Sequence, residues 1–253
     1  MIGLIPAAGR ATRISPLPCS KEVYPVEPPR AEMGGGPKVV SQFLLEKMSL
    51  AGASKAYFVL RPGKWDIPGY FGDGSRFNMR FAYLPLDESP GVPFTLDHAY
   101  PFVRHGRVAF GFPDILLNPR DAFVKMLDQQ RRSSADITLG VCRATAGLQN
   151  DLVDFDEGGV VRDVTLRPHD DPFRYSWALA LWTPVFTEFL HGYADQNRAS
   201  AHAFEISAGH VVKAAVHAGL KVEAIVLSEE TYLDIGTPEG LAEALRRGLQ
   251  HVL

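Results

Sequence analysis

The feature that most narrows the fold of this chain is an alternation of short apolar runs, rich in β-branched and aromatic residues, with longer stretches of helical periodicity. A strand over 2–5 leads to a helical pattern over 39–50, then to strands over 56–60 and 79–84. Parallel strands need crossovers of a dozen or more residues, and helices are the usual crossover, so this order predicts a parallel sheet built from βαβ units. The pattern continues with a helix over 94–103, a strand over 107–110, a helix over 120–132 and a strand over 136–142.

The next segment changes period. Residues 152–164 read as two alternating strands around the acidic turn Asp156-Glu157-Gly158-Gly159, a small β-hairpin. A strand over 175–182, helices over 184–190 and 204–218, a strand over 221–226 and a helix over 238–250 complete the reading. No repeat and no compositional break separates a second unit, so residues 1–253 are expected to form one domain.

With 46% hydrophobic and 22% charged residues, the composition is that of a globular protein. A net charge of -3 argues against a nucleic-acid surface, which needs clustered Lys and Arg. The apolar opening 1–8 has no basic segment before it and is broken by Pro6, and no run is long enough to span a bilayer, so neither a signal peptide nor a membrane partner is expected. Two cysteines, Cys19 and Cys142, make no disulfide framework and lack metal-ligand spacing; both are expected as small buried residues of a cytoplasmic protein.

The first strand runs directly into Pro6-Ala7-Ala8-Gly9-Arg10-Ala11-Thr12-Arg13, with Lys21 shortly after. Loops at the C-terminal ends of parallel strands are where open α/β sheets bind ligands. Small residues let backbone N–H groups approach phosphate oxygens, and Arg13 and Lys21 supply the charge that a triphosphate demands. The glycine spacing is neither that of a P-loop nor that of a dinucleotide fingerprint. By itself this loop also fits a tight turn with solvated basic residues.

The run from Ile5 to Val26 resembles the N-terminal motif of the sugar nucleotidyltransferases, LAxGxGTRLxPxTxxxxKxLxPV, in order and spacing, with Ala11 at the second glycine. Two more segments extend the likeness: Phe71-Gly72-Asp73-Gly74-Ser75 is similar to the family's LGDGS, and Tyr232-Leu233-Asp234-Ile235-Gly236-Thr237-Pro238 to its WLDTGTP. Gly111-Phe112-Pro113-Asp114 stands where the family has a metal-binding Gly-Asp. The resemblance implies a three-layer nucleotide-diphospho-sugar transferase-like α/β fold with a mostly parallel sheet. It also implies transfer of a nucleotidyl group from a nucleoside triphosphate to a sugar 1-phosphate, with Mg2+ as cofactor and homo-oligomers as a common state.

Carried over residue by residue, the resemblance makes Asp114 and Asp234 the metal ligands. Arg13 holds the leaving phosphates, Lys21 the α-phosphate, and Arg167 the sugar phosphate in place of a lysine. Main chain and small side chains at Ala7, Ala8, Gly9, Thr12 and Gly91 are the nucleotide contacts. The chain also departs from the family: Leu166 replaces a sugar-binding glutamate, Leu86 stands where a base-reading glutamine is usual, and Tyr175-Ser176-Trp177 lacks a glycine. These departures keep a second reading open, a homologue without activity that binds a nucleotide or nucleotide sugar, and a third, a cytidylyl- or guanylyltransferase of the same fold. Gly34-Gly35-Gly36 before the 39–50 helix reads as a flexible loop, and His169-Asp170-Asp171 as a solvated turn.

Overall fold

The computed structural model describes residues 1–29, 36–144, 150–167, 175–199, 206–230 and 232–249. The glycine loop at 34–35, the turn at 169–171, the helical start at 204–205 and the helix end at 250 lie outside the described residues. In chain order the elements are β1 (Ile2–Ala7), β2 (Pro25–Glu27), β3 (Lys38–Val39), α1 (Val40–Leu50), β4 (Lys55–Leu60), α2 (Asp66–Phe71) and β5 (Arg80–Pro85). There follow α3 (Val92–Asp97), α4 (Tyr100–Val103), β6 (Val108–Gly111), β7 (Ile115–Leu116), α5 (Ala122–Ser133) and β8 (Ile137–Arg143). The chain then forms β9 (Leu152–Phe155), β10 (Val161–Thr165), β11 (Tyr175–Trp182), α6 (Pro184–Asn197), α7 (Ala208–His217), β12 (Val222–Ser228), β13 (Leu233–Asp234) and α8 (Pro238–Leu249).

Seven strands run side by side in the order β12-β8-β11-β6-β1-β4-β5. All share one direction except β11, which pairs antiparallel with both β6 and β8. The sheet is therefore mixed but mostly parallel, as predicted. The β9–β10 hairpin extends it to nine strands: Leu152 pairs with Ser176 of β11, and the turn is held to β12 where the Ala224 amide donates to the Gly159 carbonyl at 2.7 Å.

Strand pleating sends successive side chains to opposite faces, and both faces are covered here. Ala56, Phe58 and Leu60 of β4 join one buried cluster with Leu44, Leu45 and Met48 of α1 and Phe123 and Met126 of α5. Val59 of β4 joins the other, with Leu96 of α3, Phe186 and Leu190 of α6 and Val211 and Val212 of α7. Helix, sheet, helix is the three-layer arrangement. Phe58 on one face and Phe110 on the other are fully buried, and truncating either to alanine costs about 3–5 kcal/mol. Pro6 is tolerated in this central strand because the β1–β6 ladder ends at Leu4, leaving no need for its missing N–H on that side.

The helix expected over 94–103 is instead two short ones, α3 and α4. Each has a proline in its first turn, and Pro101 cannot donate to the preceding turn, so the chain must restart there. The helix expected over 184–190 continues to Asn197. Both cysteines are free, and burial pushes the Cys142 thiol up to about 11. No helix among the described residues is long and apolar enough to cross a membrane.

Candidate active site

The loop after β1, the loop after β6 and the β7–β13 pair converge on one cavity of about 670 Å³, within the usual size of a small-molecule site. Strand β6 hands the chain through Phe112-Pro113 to Asp114, immediately before β7. In the short antiparallel ladder, Asp234 pairs with Ile115 and Leu233 with Leu116, and the Ile235 amide donates to the Asp114 carbonyl at 3.0 Å. Two acidic residues far apart in sequence are thus fixed side by side by main-chain bonds. A Cβ on Gly236 would lie 2.9 Å from both Asp114 Oδ2 and Asp234 Oδ1, so both oxygens flank one small volume. The Gly236 amide donates to Asp234 Oδ1 at 2.7 Å and fixes its rotamer.

Lys21 donates to Asp114 Oδ2 at 2.5 Å, and both side chains are largely buried. Arg13 reaches Asp234 Oδ2 at 3.9 Å but is 65% exposed, so its guanidinium remains open to a ligand. Burial alone would raise the Asp114 carboxyl, yet the Lys21 ammonium outweighs it and holds the group below the usual carboxylate range. Asp234 moves the other way: burial pushes it up, and the Asp114 charge adds to that push against the Gly236 amide and the Lys21 and Arg13 charges. Burial would depress the Lys21 ammonium, but Asp114 and Glu22 together hold it above its ordinary value.

Of the residues singled out in the sequence, Ala8, Gly9, Thr12, Arg13 and Lys21 line the cavity on the β1 side. Gly91, Asp114, Arg167 and Asp234 line the rest. Ala7 does not: it is fully buried in the core beneath α1. Gly91 has an extended backbone and must be glycine because a Cβ would collide with the Ile206 carbonyl, its partner in an isolated bridge. Leu86 donates its amide to the Leu60 carbonyl at 2.8 Å and packs against the core. The Phe71-to-Ser75 segment ends α2 in a turn, where Asp73 Oδ1 accepts from the Ser75 amide at 3.0 Å, and none of it lines the cavity.

Several functional candidates lay beyond reach of the sequence. Glu22 is completely buried beside Lys21 and accepts two hydrogen bonds from Lys64, at 2.7 and 2.9 Å. Asp151, Ser207 and Thr95 also line the cavity. Only the adjacency of Glu22 to Lys21 was visible as a signal. A second acidic cluster, Asp97, His191 and Asp195, has ligand atoms grouped closely enough for a metal. Arg198 already contacts both carboxylates, at 3.2 Å to Asp97 and 3.3 Å to Asp195, so a guanidinium supplies the positive charge there.

No family model and no curated protein matches the chain. Solved structures do. One, from Bacillus anthracis, assigned as a glucose-1-phosphate thymidylyltransferase and solved with sucrose, superposes with a TM-score of 0.79 at 15% identity over 98% of this chain and 95% of that one. A UDP-glucose pyrophosphorylase complexed with UDP-glucose gives 0.78 at 16% identity over 99% and 98%. The fold is that of the sugar nucleotidyltransferases. Identity this low carries the architecture alone, so the chemistry of this chain rests on its own site.

Proposed function

We propose that this chain is a sugar-1-phosphate nucleotidyltransferase: an oxygen of a sugar 1-phosphate attacks the α-phosphorus of a nucleoside triphosphate, a new P–O bond forms, and the bond to the β-phosphate breaks to release pyrophosphate. The observation that carries this reading is the grouping of Asp114, Asp234, Lys21 and Arg13 around one cavity at the C-terminal ends of β1 and β6. Such a displacement needs little covalent help from the protein, only positioning and neutralisation of developing charge.

The loop after β1 receives the triphosphate. Arg13, exposed and planar, takes the β- and γ-phosphates bidentately and follows them as they leave. Lys21, buried and held by Asp114, faces the α-phosphate as a fixed charge that needs no reorganisation in the transition state. Arg167, which lines the same cavity, holds the sugar phosphate. The two adjacent carboxylates are hard oxygen donors, and Gly236 leaves open the volume between them, so Asp114 and Asp234 fit Mg2+. When bound, the ion would neutralise phosphate charge at the reacting centre.

The test is pyrophosphate release from a matrix of nucleoside triphosphates and sugar 1-phosphates with Mg2+. At least one pair is expected to react, and Asp114→Asn to lower kcat by about 100-fold or more. Absence of release from every pair, with nucleotide binding unaltered in Asp114→Asn, would refute the enzymatic reading in favour of a binding module.

A further inference from the structure

Resting on the reading just given, we propose that Asp151 determines acceptor specificity by taking hydrogen bonds from ring hydroxyls of the sugar. Asp151 precedes β9 and lines the same cavity as Asp114 and Arg167, with Ser207 and Arg167 beside it. Its Oδ2 accepts from the Ser207 hydroxyl at 3.2 Å. Its Oδ1 is buried and has no hydrogen-bond partner among the described residues. A buried, unpaired carboxylate oxygen is costly, and a ligand that donates to it recovers the loss.

The surroundings hold this carboxylate in place at some expense. A Cβ on Gly209, in the first turn of α7, would collide with Asp151 Oδ2 and come within 2.9 Å of Leu166 Cδ2, so the second residue of the helix is glycine where Asp151 seats itself. Arg167, whose charge lies beside Asp151, adopts φ 44°, a left-handed conformation that side chains other than glycine resist. Strain of this kind persists where the surrounding structure demands it, and here it brings the phosphate-holding cation and the free carboxylate oxygen to one wall.

The chemistry of the ligand follows from that pairing. Arg167 already supplies the positive charge, so the free oxygen calls for a neutral O–H donor rather than an ammonium. Trp177, Phe112 and Tyr232 line the cavity as well and offer apolar surface to the C–H face of a pyranose ring. A ring with hydroxyls on its edge and carbon-bound hydrogens on its face satisfies both.

The bland account is that Asp151 merely anchors the start of α7, and kinetics separates the two. With the best acceptor of the wild-type protein, Asp151→Asn and Asp151→Ala are expected to raise the acceptor KM by roughly 10- to 100-fold while leaving the triphosphate KM unchanged. One deoxy analogue of that acceptor, poor for the wild type, should lose its disadvantage in the variants. An unchanged acceptor KM, equal loss toward both substrates, or preference of the wild type for an amino sugar that Asp151→Asn abolishes would overturn the proposal. Thermal melting checks that the variants fold. Should the wild type react with no pair, the proposed function itself falls, and calorimetric titration with the sugar 1-phosphates alone then decides: binding that Asp151→Asn weakens supports the role of Asp151, whereas equal or absent binding refutes it.

Discussion

The Ile235 amide bound to the Asp114 carbonyl at 3.0 Å is the joint of the candidate site. Strands β7 and β13 have two residues each, too short to stabilise anything by themselves, yet their ladder brings Asp114 and Asp234 together from distant parts of the chain, and an oxygen of each borders the space above Gly236. The register is further fixed from behind, because Leu116 and Leu233 pack against the small cluster of Val26, Val40 and Ile235. A site made this way tolerates little displacement.

Gly236→Ala should therefore damage activity more than folding. The new methyl would stand 2.9 Å from both carboxylate oxygens and 3.3 Å from Arg13 Nη2, inside the space that the phosphates and a metal ion would share. Displacing reacting groups by about 1 Å costs on the order of 100-fold in rate, and kcat/KM is expected to fall by that much with the melting temperature nearly unchanged. Equal activity in the variant would show that the space between the aspartates is not used.

Ala11 stands at φ 53° and ψ 32°, left-handed, at the position where the phosphate-loop motif has its second glycine. A left-handed non-glycine residue costs roughly 1–2 kcal/mol, while glycine loses about 0.4–1 kcal/mol through the freer unfolded chain. Ala11→Gly is expected to stabilise the protein by about 0.5–1 kcal/mol, and Ala11→Val to destabilise it, since a β-branched side chain fits that region least. Urea melts of the three proteins check the order Gly, Ala, Val.

How much of this could be seen without coordinates depended on how local the cause was. Strands β1, β4, β6 and β8 are buried on both faces and announce themselves as apolar runs. Strands β2, β3, β7 and β13, of two or three residues, have no period to detect, though β7 and β13 build the site. The break between α3 and α4 was written in Pro101 and was masked by the apolar pattern around it. Arg13, Lys21, Asp114, Asp234 and Arg167 are found by motif and do share the cavity, whereas Asp151 acquires meaning only from what lies across from it in space, and Gly236, though part of a motif, shows its reason only there.

Lys47 on α1 is only 5% exposed and makes no salt bridge among the described residues. Burial, helped by the Lys38 charge, lowers its ammonium to about 8. Below that pH the folded state bears the full cost of a buried ammonium. As pH rises from 8 toward the unfolded value of 10.5, the folded protein releases the proton first and the cost is relieved. Lys47→Met should therefore stabilise at pH 7 by about 2–3 kcal/mol, and its advantage should shrink between pH 8 and 10.5. Denaturant melts of both proteins at pH 7 and pH 10 measure it; a pH-independent difference would mean that Lys47 reaches water.

Glu22 and Lys64 form the other buried pair, at 2.7 and 2.9 Å, with Glu22 wholly inaccessible and Lys21 adjacent. Burial pushes the Glu22 carboxyl up against the pull of Lys64 and Lys21, and depresses the Lys64 ammonium. Removing one partner of such a pair leaves an uncompensated charge and costs about 3–5 kcal/mol, while replacing both with neutral groups of similar volume costs far less. Lys64→Met should thus be destabilising by that amount, and the double variant Glu22→Gln with Lys64→Met should recover most of it. Activity should divide differently from stability. The Glu22 charge contributes to holding the Lys21 ammonium protonated, so the double variant is expected to remain folded yet show a lower kcat, with the loss largest at alkaline pH, where Lys21 deprotonates sooner. A double-mutant cycle on melting free energy, run beside a kcat-against-pH profile, checks both halves; an alkaline limb of that profile left unmoved in the double variant would show that Glu22 serves the fold alone.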